Sequence, residues 1–223
     1  MYKLIKRLFD IIFSAIALLI LCPLLLPIGL ILKFSGEGYI FYLQERVGFK
    51  NKIFNIYKFA TMLKNSPNMA GGLITLKRDP RLLPIGGFLR NSKINELPQL
   101  LNILLGDMSI VGPRPVMQKS FDAYSDEIQQ IIYNVTPGLT GIGSIIFRDE
   151  ETLITQAKDK GLDTWDFYKS IIYPFKGKVE IWYQQNQNFY TDFMCIVLTA
   201  WVIIFPNSSM IYKVFPTLPK RPF

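Results

Sequence analysis

Between Asp79 and Pro115 the chain reads DPRLLPIGGFLRNSKINELPQLLNILLGDMSIVGPRP. Asp79, Arg81, Arg90, Glu96, Asp107 and Arg114 crowd into this stretch, among prolines and glycines that restrict the backbone. Planar guanidinium groups grip phosphate oxygens in pairs. A carboxylate near phosphates reaches them through a hard, oxygen-loving cation such as Mg2+. Arg114 stands between Pro113 and Pro115, so its backbone is preset and loses little entropy when the side chain holds an anion. The chain has no histidine. That excludes Ser-His-Asp triads, histidine general bases and histidine-ligated zinc. Arginines and a carboxylate without histidine point to phosphoryl transfer from a pyrophosphate-containing donor. Any one of these residues taken singly reads equally well as a surface ion pair or a solvated charge.

The rest of the chain must carry that segment to its substrates. Of 223 residues half are hydrophobic and 19% charged, which fits one domain with a membrane element and excludes a disordered tail protein. Cys22 and Cys195 each lie in an apolar run and offer neither a disulfide framework nor zinc spacing, so the catalytic part is expected to face a reducing compartment. The net charge of +8 suits nucleic acid, anionic lipid or a phosphorylated substrate. Nucleic-acid binding needs a basic helix or an aromatic platform. The charges here are spread between apolar runs, so no nucleic acid partner is expected.

Ile11 to Leu32 is apolar apart from Ser14, and at about 1.5 Å per residue it is roughly 33 Å long, enough to cross a bilayer. No small-x-small cleavage site follows it, which argues against a secretory signal. Pro23 and Pro27 interrupt the run. Each removes a helix N–H and disfavours helix at the residue before it. Lys3, Lys6 and Arg7 flank one end, and Lys33, Arg46, Lys50 and Lys52 the other. With cations on both flanks, the positive-inside rule favours both ends in the cytoplasm. A re-entrant hairpin satisfies that rule, while a kinked spanning helix remains open.

Downstream, Tyr39–Tyr42 and Ile53–Phe59 read as strands around a Gly48–Lys52 turn. Residues 65–72 read as a polar loop. Leu97–Leu105 has helical spacing, with Asn95 placed to cap it. Gly112–Pro115 must be extended or turning, and Pro137–Gly141 is a turn. Helices are expected over Ser120–Tyr133, Thr152–Lys160 and Thr164–Tyr190, the last with a break at Pro174. Phe189–Phe205 reads as an interfacial amphipathic helix, with a buried core helix as the alternative. Self-association, including a homo-oligomer, is left open.

These residues together resemble the monotopic phosphoglycosyl transferases, the bacterial sugar transferases that start polysaccharide and glycoconjugate assembly. The signature is carried by Leu89-Arg90, Ile94 to Leu100, Asn102, Gly106 to Ser109 and Val111 to Pro115. Lys6-Arg7-x-Phe9-Asp10, Gln44-x-Arg46-Val47-Gly48, Phe54 to Met62, Asp79-Pro80-Arg81 and Pro137 to Gly141 extend the likeness over most of the chain. The length is that of members carrying the catalytic unit alone.

The resemblance implies transfer of a sugar-1-phosphate from a UDP-sugar to a polyprenol phosphate such as undecaprenyl phosphate. UMP is released, with Mg2+ as cofactor, at the cytoplasmic face of the bacterial inner membrane. It implies an irregular, helix-rich α/β fold in three parts. Residues 1–36 form a re-entrant membrane helix bent at Pro23, residues 37–187 a small cytoplasmic core, and residues 188–223 an apolar interfacial helix and tail. It assigns Glu96 to metal binding or catalysis and Arg90, Arg81 and Arg114 to the diphosphate. Lys58 and Thr61 line the site, Asp79 orients Arg81, and Lys6, Arg7 and Asp10 lie near the lipid phosphate. The family nucleophile is the Asp of an Asp-Glu pair, which forms a covalent phosphosugar. This chain has Asn95-Glu96 instead. Glu96 or another carboxylate then attacks, or the lipid phosphate attacks directly, or Asn95 serves only as a cap. Arg148 is a candidate substrate-binding residue, and Asp149 and Glu150 beside it are candidates for a compensating acid, against a plain reading as acids at a helix start. The alternative to an enzyme is a non-catalytic membrane protein of the same fold that binds nucleotide sugar or lipid phosphate without turnover.

Overall fold

The computed structural model describes residues 1–35, 37–69 and 79–223; positions 70–72 of the expected polar loop lie outside the described residues. The chain is mixed α/β and rich in helix. α1 (Tyr2–Phe34) runs as helix through both Pro23 and Pro27. Among the described residues it is the one helix long and apolar enough to cross a membrane. Leu19, Ile20 and Leu26 are among many large apolar side chains it leaves exposed. A soluble helix would bury such a stripe, because exposed apolar area of this extent is costly in water.

β1 (Phe41–Val47) and β2 (Ile53–Phe59) form a two-stranded hairpin. The second strand has the bounds read from its run of aromatic and β-branched residues, Ile53, Phe54, Ile56, Tyr57 and Phe59. The turn between them places Lys50 and Asn51 at positive φ. α2 (Gly86–Asn91) and α3 (Gln99–Leu105) flank a short 3-10 turn at Ile94–Glu96. β3 (Ser109–Val111) pairs in parallel with β4 (Gly138–Thr140), with Ser109 opposite Gly138 and Val111 opposite Thr140. Between them lie α4 (Gln118–Phe121) and α5 (Asp126–Ile131), two short helices where one was expected. The expected turn at Pro137–Gly141 is thus mostly strand. Glycine at 138 is required there, because a Cβ would strike the Gly112 main chain.

The remaining elements are helices: α6 (Ile142–Ile146), α7 (Glu150–Asp159), α8 (Thr164–Phe167), α9 (Tyr173–Gln185), α10 (Phe189–Ile204) and α11 (Met210–Val214). A single π-type turn at Tyr168–Ile172 joins α8 to α9. Pro174 does not break the helix; it sits in the first turn of α9, where its missing N–H costs nothing.

The chain divides into two compact units. Residues 9–44 and 55–105 make one. Its core joins Ile28 and Leu32 of α1 to Phe59, Ala60, Leu83 and Leu89. The other comprises residues 1–8, 45–54 and 106–223. Its larger core gathers Val111, Ile142, Ile145, Ile172, Val179, Tyr183, Cys195 and Leu198. A second, aromatic cluster holds Val47, Phe121, Tyr124, Tyr133 and Tyr173.

Candidate active site

Lys58, Thr61, Asp79, Arg81, Arg90, Asn95 and Glu96 all belong to the unit that contains α1 from Phe9 onward. Asn102, fully buried in α3, clamps β2: its Oδ1 accepts from the Tyr57 amide at 2.9 Å and its Nδ2 donates to the Asn55 carbonyl at 2.8 Å. That pairing fixes the register of β2 against the turn preceding α3. Lys58, the next strand residue, brings its ammonium 3.6 Å from Glu96 Oε1. The two side chains are 16% and 21% exposed, so both remain within reach of solvent.

Asn95 is buried beside Glu96, and its Oδ1 has no hydrogen-bond partner. The expected cap is therefore not made: α3 begins only at Gln99, and the turn at Ile94–Glu96 follows Lys93 in a left-handed conformation instead. Gln99, one turn on, likewise has a buried Nε2 without a partner. A buried polar atom left unpaired costs on the order of 1–3 kcal/mol. The Asn95 atom belongs to the residue next to the partly exposed Glu96 carboxylate.

Arg90 of α2 is half-buried, with Nη1 3.7 Å from the Met62 sulfur. Tyr39 holds the Met62 carbonyl at 2.6 Å, and Thr61, itself buried, accepts from the Leu83 amide at 2.9 Å. Arg81, expected on a phosphate, is 1% exposed. Its Nε and Nη2 are 2.8 and 2.7 Å from the two oxygens of Asp79, and its Nη1 donates to the Ser66 carbonyl. Asp79 does orient Arg81, and the pair braces the chain at Ser66.

Arg114, Arg148, Asp149 and Glu150 belong to the other unit. Arg114 is half-buried between its prolines. The Tyr133 hydroxyl donates to its carbonyl at 2.8 Å, and burial, which pushes that phenol up, keeps the proton on it. The Arg114 amide donates to Glu180, a fully buried acid of α9 whose pKa is pushed by burial to about 8. Lys176 and the Arg114 amide oppose that shift. Arg148 donates to the Pro206, Ser208 and Ile145 carbonyls. Asp149 takes a two-pronged ion pair from Arg221, both contacts at 2.7 Å, and Arg221 holds its carboxyl below the usual range. Glu150 pairs with Lys176 at 2.9 Å. The two candidate compensating acids thus each have a cation of their own. Lys6, expected near a lipid phosphate, pairs with Asp192 at 2.6 Å.

Sequence reasoning missed Glu180 and Asp192. Glu180 had a signal: Tyr173, Lys176, Glu180 and Tyr183 share one helical face, and all four are buried. A charged pair on a buried stripe at i, i+4 spacing marks a polar site inside a core.

The model of the bacterial sugar transferase family matches residues 1–206. The exopolysaccharide production protein ExoY of Rhizobium meliloti is 33% identical over 187 residues, which cover 77% of this chain and 82% of that protein. An undecaprenyl-phosphate galactose phosphotransferase of Salmonella typhimurium is 31% identical over 216 residues, 91% of this chain but only 41% of the longer relative. A putative undecaprenyl-phosphate N-acetylgalactosaminyl 1-phosphate transferase of Bacillus subtilis is 40% identical over 127 residues, covering 57% of this chain and 70% of that protein. With its family model matched across nearly its whole length, the chain belongs to the bacterial sugar transferases.

Proposed function

We propose that this chain is a phosphoglycosyl transferase that moves a sugar-1-phosphate from a UDP-sugar to a polyprenol phosphate and releases UMP, the first step of polysaccharide or glycoconjugate assembly. The observation that carries this reading is the Asn95-Glu96 turn. A partly exposed carboxylate faces Lys58 at 3.6 Å, beside a buried amide oxygen with no partner. The names of two relatives support the acceptor class: one is an undecaprenyl-phosphate galactose phosphotransferase and the other a putative undecaprenyl-phosphate N-acetylgalactosaminyl 1-phosphate transferase.

The residues fit a divalent cation. Mg2+ prefers a few oxygen ligands and keeps several waters and substrate phosphates. The Glu96 carboxylate and the orphaned Asn95 Oδ1 are such ligands, the amide being the weaker of the two. When bound there, the ion would neutralise charge on the donor's diphosphate. Lys58 and Arg90 are assigned to the phosphate oxygens, and Arg114 to a substrate phosphate by its place in the family signature. Thr61 lines the site, and the Asp79–Arg81 pair supports the chain near Ser66.

In the reaction an oxygen nucleophile forms a bond to the donor's β-phosphorus as the bond to the UMP oxygen breaks. The Asn95 amide is neutral and a poor nucleophile, so the attacking oxygen belongs to the acceptor phosphate directly, or to Glu96, whose phosphosugar an acceptor phosphate oxygen then attacks at phosphorus, releasing the carboxylate. α1 is assigned to the membrane as a re-entrant helix bent near Pro23, with α10 at the interface. The cations flanking both ends of the apolar run support that path, which puts the core on the cytoplasmic face. The three-part division at residues 36 and 187 follows from it.

The test is UMP release by detergent-solubilised protein given UDP-glucose, UDP-galactose or UDP-N-acetylgalactosamine, with undecaprenyl phosphate and Mg2+. Release that needs both lipid and metal supports the proposal. No release from any donor, with the protein folded, overturns it. Intact mass after donor alone separates the two routes: a phosphosugar adduct that Glu96→Gln abolishes marks attack by Glu96, and the absence of any adduct marks direct transfer.

A further inference from the structure

From Pro113 to Pro115 each main-chain polar group has a partner inside its own unit, and so does the Gly112 amide. The Gly112 amide donates to the Thr140 carbonyl at 2.9 Å, and the Pro113 carbonyl accepts from the Gly138 amide at 2.8 Å. The Pro115 carbonyl accepts from Arg46 at 3.3 Å. Pro113 and Pro115 have no N–H, so the Arg114 amide is the single backbone donor across those three residues. It is spent on Glu180. The Arg114 carbonyl is spent on the Tyr133 hydroxyl, which also accepts from the Val116 amide at 3.1 Å.

Burying an acid for this purpose is expensive, and the surroundings show the accommodation. Glu180 is 2% exposed, and one of its oxygens, Oε2, has no partner. Gly143 of α6 lies so close that a Cβ there would strike Oε1. A Glu180 serving only to fill space would be better replaced by an apolar side chain, which has no desolvation cost. What an apolar residue cannot do is accept the Arg114 N–H.

We propose that Glu180 and Tyr133 are positioning residues that grip the Arg114 peptide from its two sides and so aim the guanidinium at a substrate phosphate. The inference rests on the reading of Arg114 as a phosphate ligand. The grip fixes the Cα–Cβ direction of Arg114 before the anion arrives, so binding costs only side-chain entropy.

The test measures donor KM and kcat by UMP release, with the UDP-sugar that turns over fastest among UDP-glucose, UDP-galactose and UDP-N-acetylgalactosamine. Glu180→Asp retracts the carboxyl by one methylene, and Tyr133→Phe deletes the hydroxyl in an unchanged ring position. Each is expected to raise KM about tenfold with kcat changed far less. Glu180→Gln keeps an acceptor at full reach and is expected to restore KM to within about twofold of the parent. Arg114→Lys is run beside them. If Arg114→Lys raises KM while Glu180→Asp and Tyr133→Phe do not, the grip is overturned and the phosphate-ligand reading stands. If Arg114→Lys leaves both constants unchanged, that reading fails and the inference with it. Should Glu180→Asp not fold, Tyr133→Phe and Glu180→Gln decide: an unchanged KM in Tyr133→Phe, or a raised one in Glu180→Gln at unchanged thermal stability, overturns the proposal.

Discussion

Lys6, near the start of the apolar N-terminal helix, sets its ammonium 2.6 Å from the carboxylate of Asp192 in α10. The same ammonium donates to the Val111 carbonyl at 2.9 Å, one residue before the Gly112–Pro115 segment. Asp192 is shared: Tyr2 donates to Oδ2 at 2.6 Å and Tyr183 to Oδ1 at 2.7 Å. A lysine at a membrane helix end usually snorkels to lipid headgroups. This one is held by protein instead, so the first turns of α1 are tied to α9, α10 and β3.

That tie should be worth more than a surface ion pair. The Lys6 and Asp192 side chains are 14% and 13% exposed, and breaking a pair so sheltered by removing one partner costs about 3 kcal/mol. Lys6→Met is expected to lower the unfolding temperature markedly in detergent, and Lys6→Met with Asp192→Asn to recover part of the loss. A double variant no more stable than Lys6→Met would show that the two charges are not coupled.

Stability should also depend on pH through Glu180. Its folded pKa of about 8 lies above its ordinary value of 4.5, so the folded state holds a proton that the unfolded chain releases. Stability from this group is complete below about pH 4.5 and falls as pH rises to about 8. Lys176 on the same helix, the Arg114 amide, Tyr124 and Tyr133, and Cys195 of α10 are the groups that face it or share its field. Glu180→Gln removes the ionisation. It is expected to match the parent near pH 4.5 and exceed it in unfolding temperature near pH 8. A difference between the two proteins that stays constant with pH would contradict this.

Asp149 and Glu150 should be dispensable for turnover. Their ion pairs with Arg221 and Lys176 tie α7 to the C-terminal tail and to α9. Asp149→Asn with Glu150→Gln is expected to keep UMP release within about twofold. It should lower stability at neutral pH by about 1 kcal/mol, since the Asp149 pair is partly exposed. The Asp149 share has a defined sign: its pKa is lowered, so its contribution is present above the ordinary carboxylate range and is lost as pH falls. Loss of turnover in a folded double-amide protein would return these acids to the active site.

The local elements were legible where a pattern had room to repeat. Ile53–Phe59 holds five aromatic or β-branched residues out of seven, and Leu97–Leu105 shows helical spacing over nine, so both emerged close to their observed bounds. β3 and β4 have three residues each, too few to show a period, and their parallel pairing depends on glycines that read as turn signals. α2 opens with Gly86-Gly87, which discourages a helix reading, and is held by packing of Leu89 in the core. At the site, residue types and family spacing pointed to Glu96 and Arg90. That Lys58 faces Glu96 depends on the Asn102 clamp across β2, a tertiary contact with no local trace. Burial of Arg81 on Asp79 is likewise decided by packing, since the Asp-Pro-Arg sequence is equally compatible with an exposed phosphate ligand.

The Asn95-Glu96 turn yields the sharpest prediction. Glu96→Gln keeps the shape of the side chain and removes its charge. If that charge stabilises the reacting phosphates through Mg2+, UMP release falls at least about 100-fold while the unfolding temperature hardly moves. Asn95→Asp does the opposite, adding a carboxylate where an amide oxygen is already buried without a partner. Two adjacent acids repel and one of them is poorly solvated, so the variant should be less stable than the parent in EDTA. A divalent ion bridging both would relieve that repulsion. The rise in unfolding temperature on adding Mg2+ is therefore expected to be larger in Asn95→Asp than in the parent, by a thermal-shift measurement that needs no donor and no lipid. Equal shifts in the two proteins would mean that position 95 does not face the ion, and Glu96 alone would remain as its protein ligand.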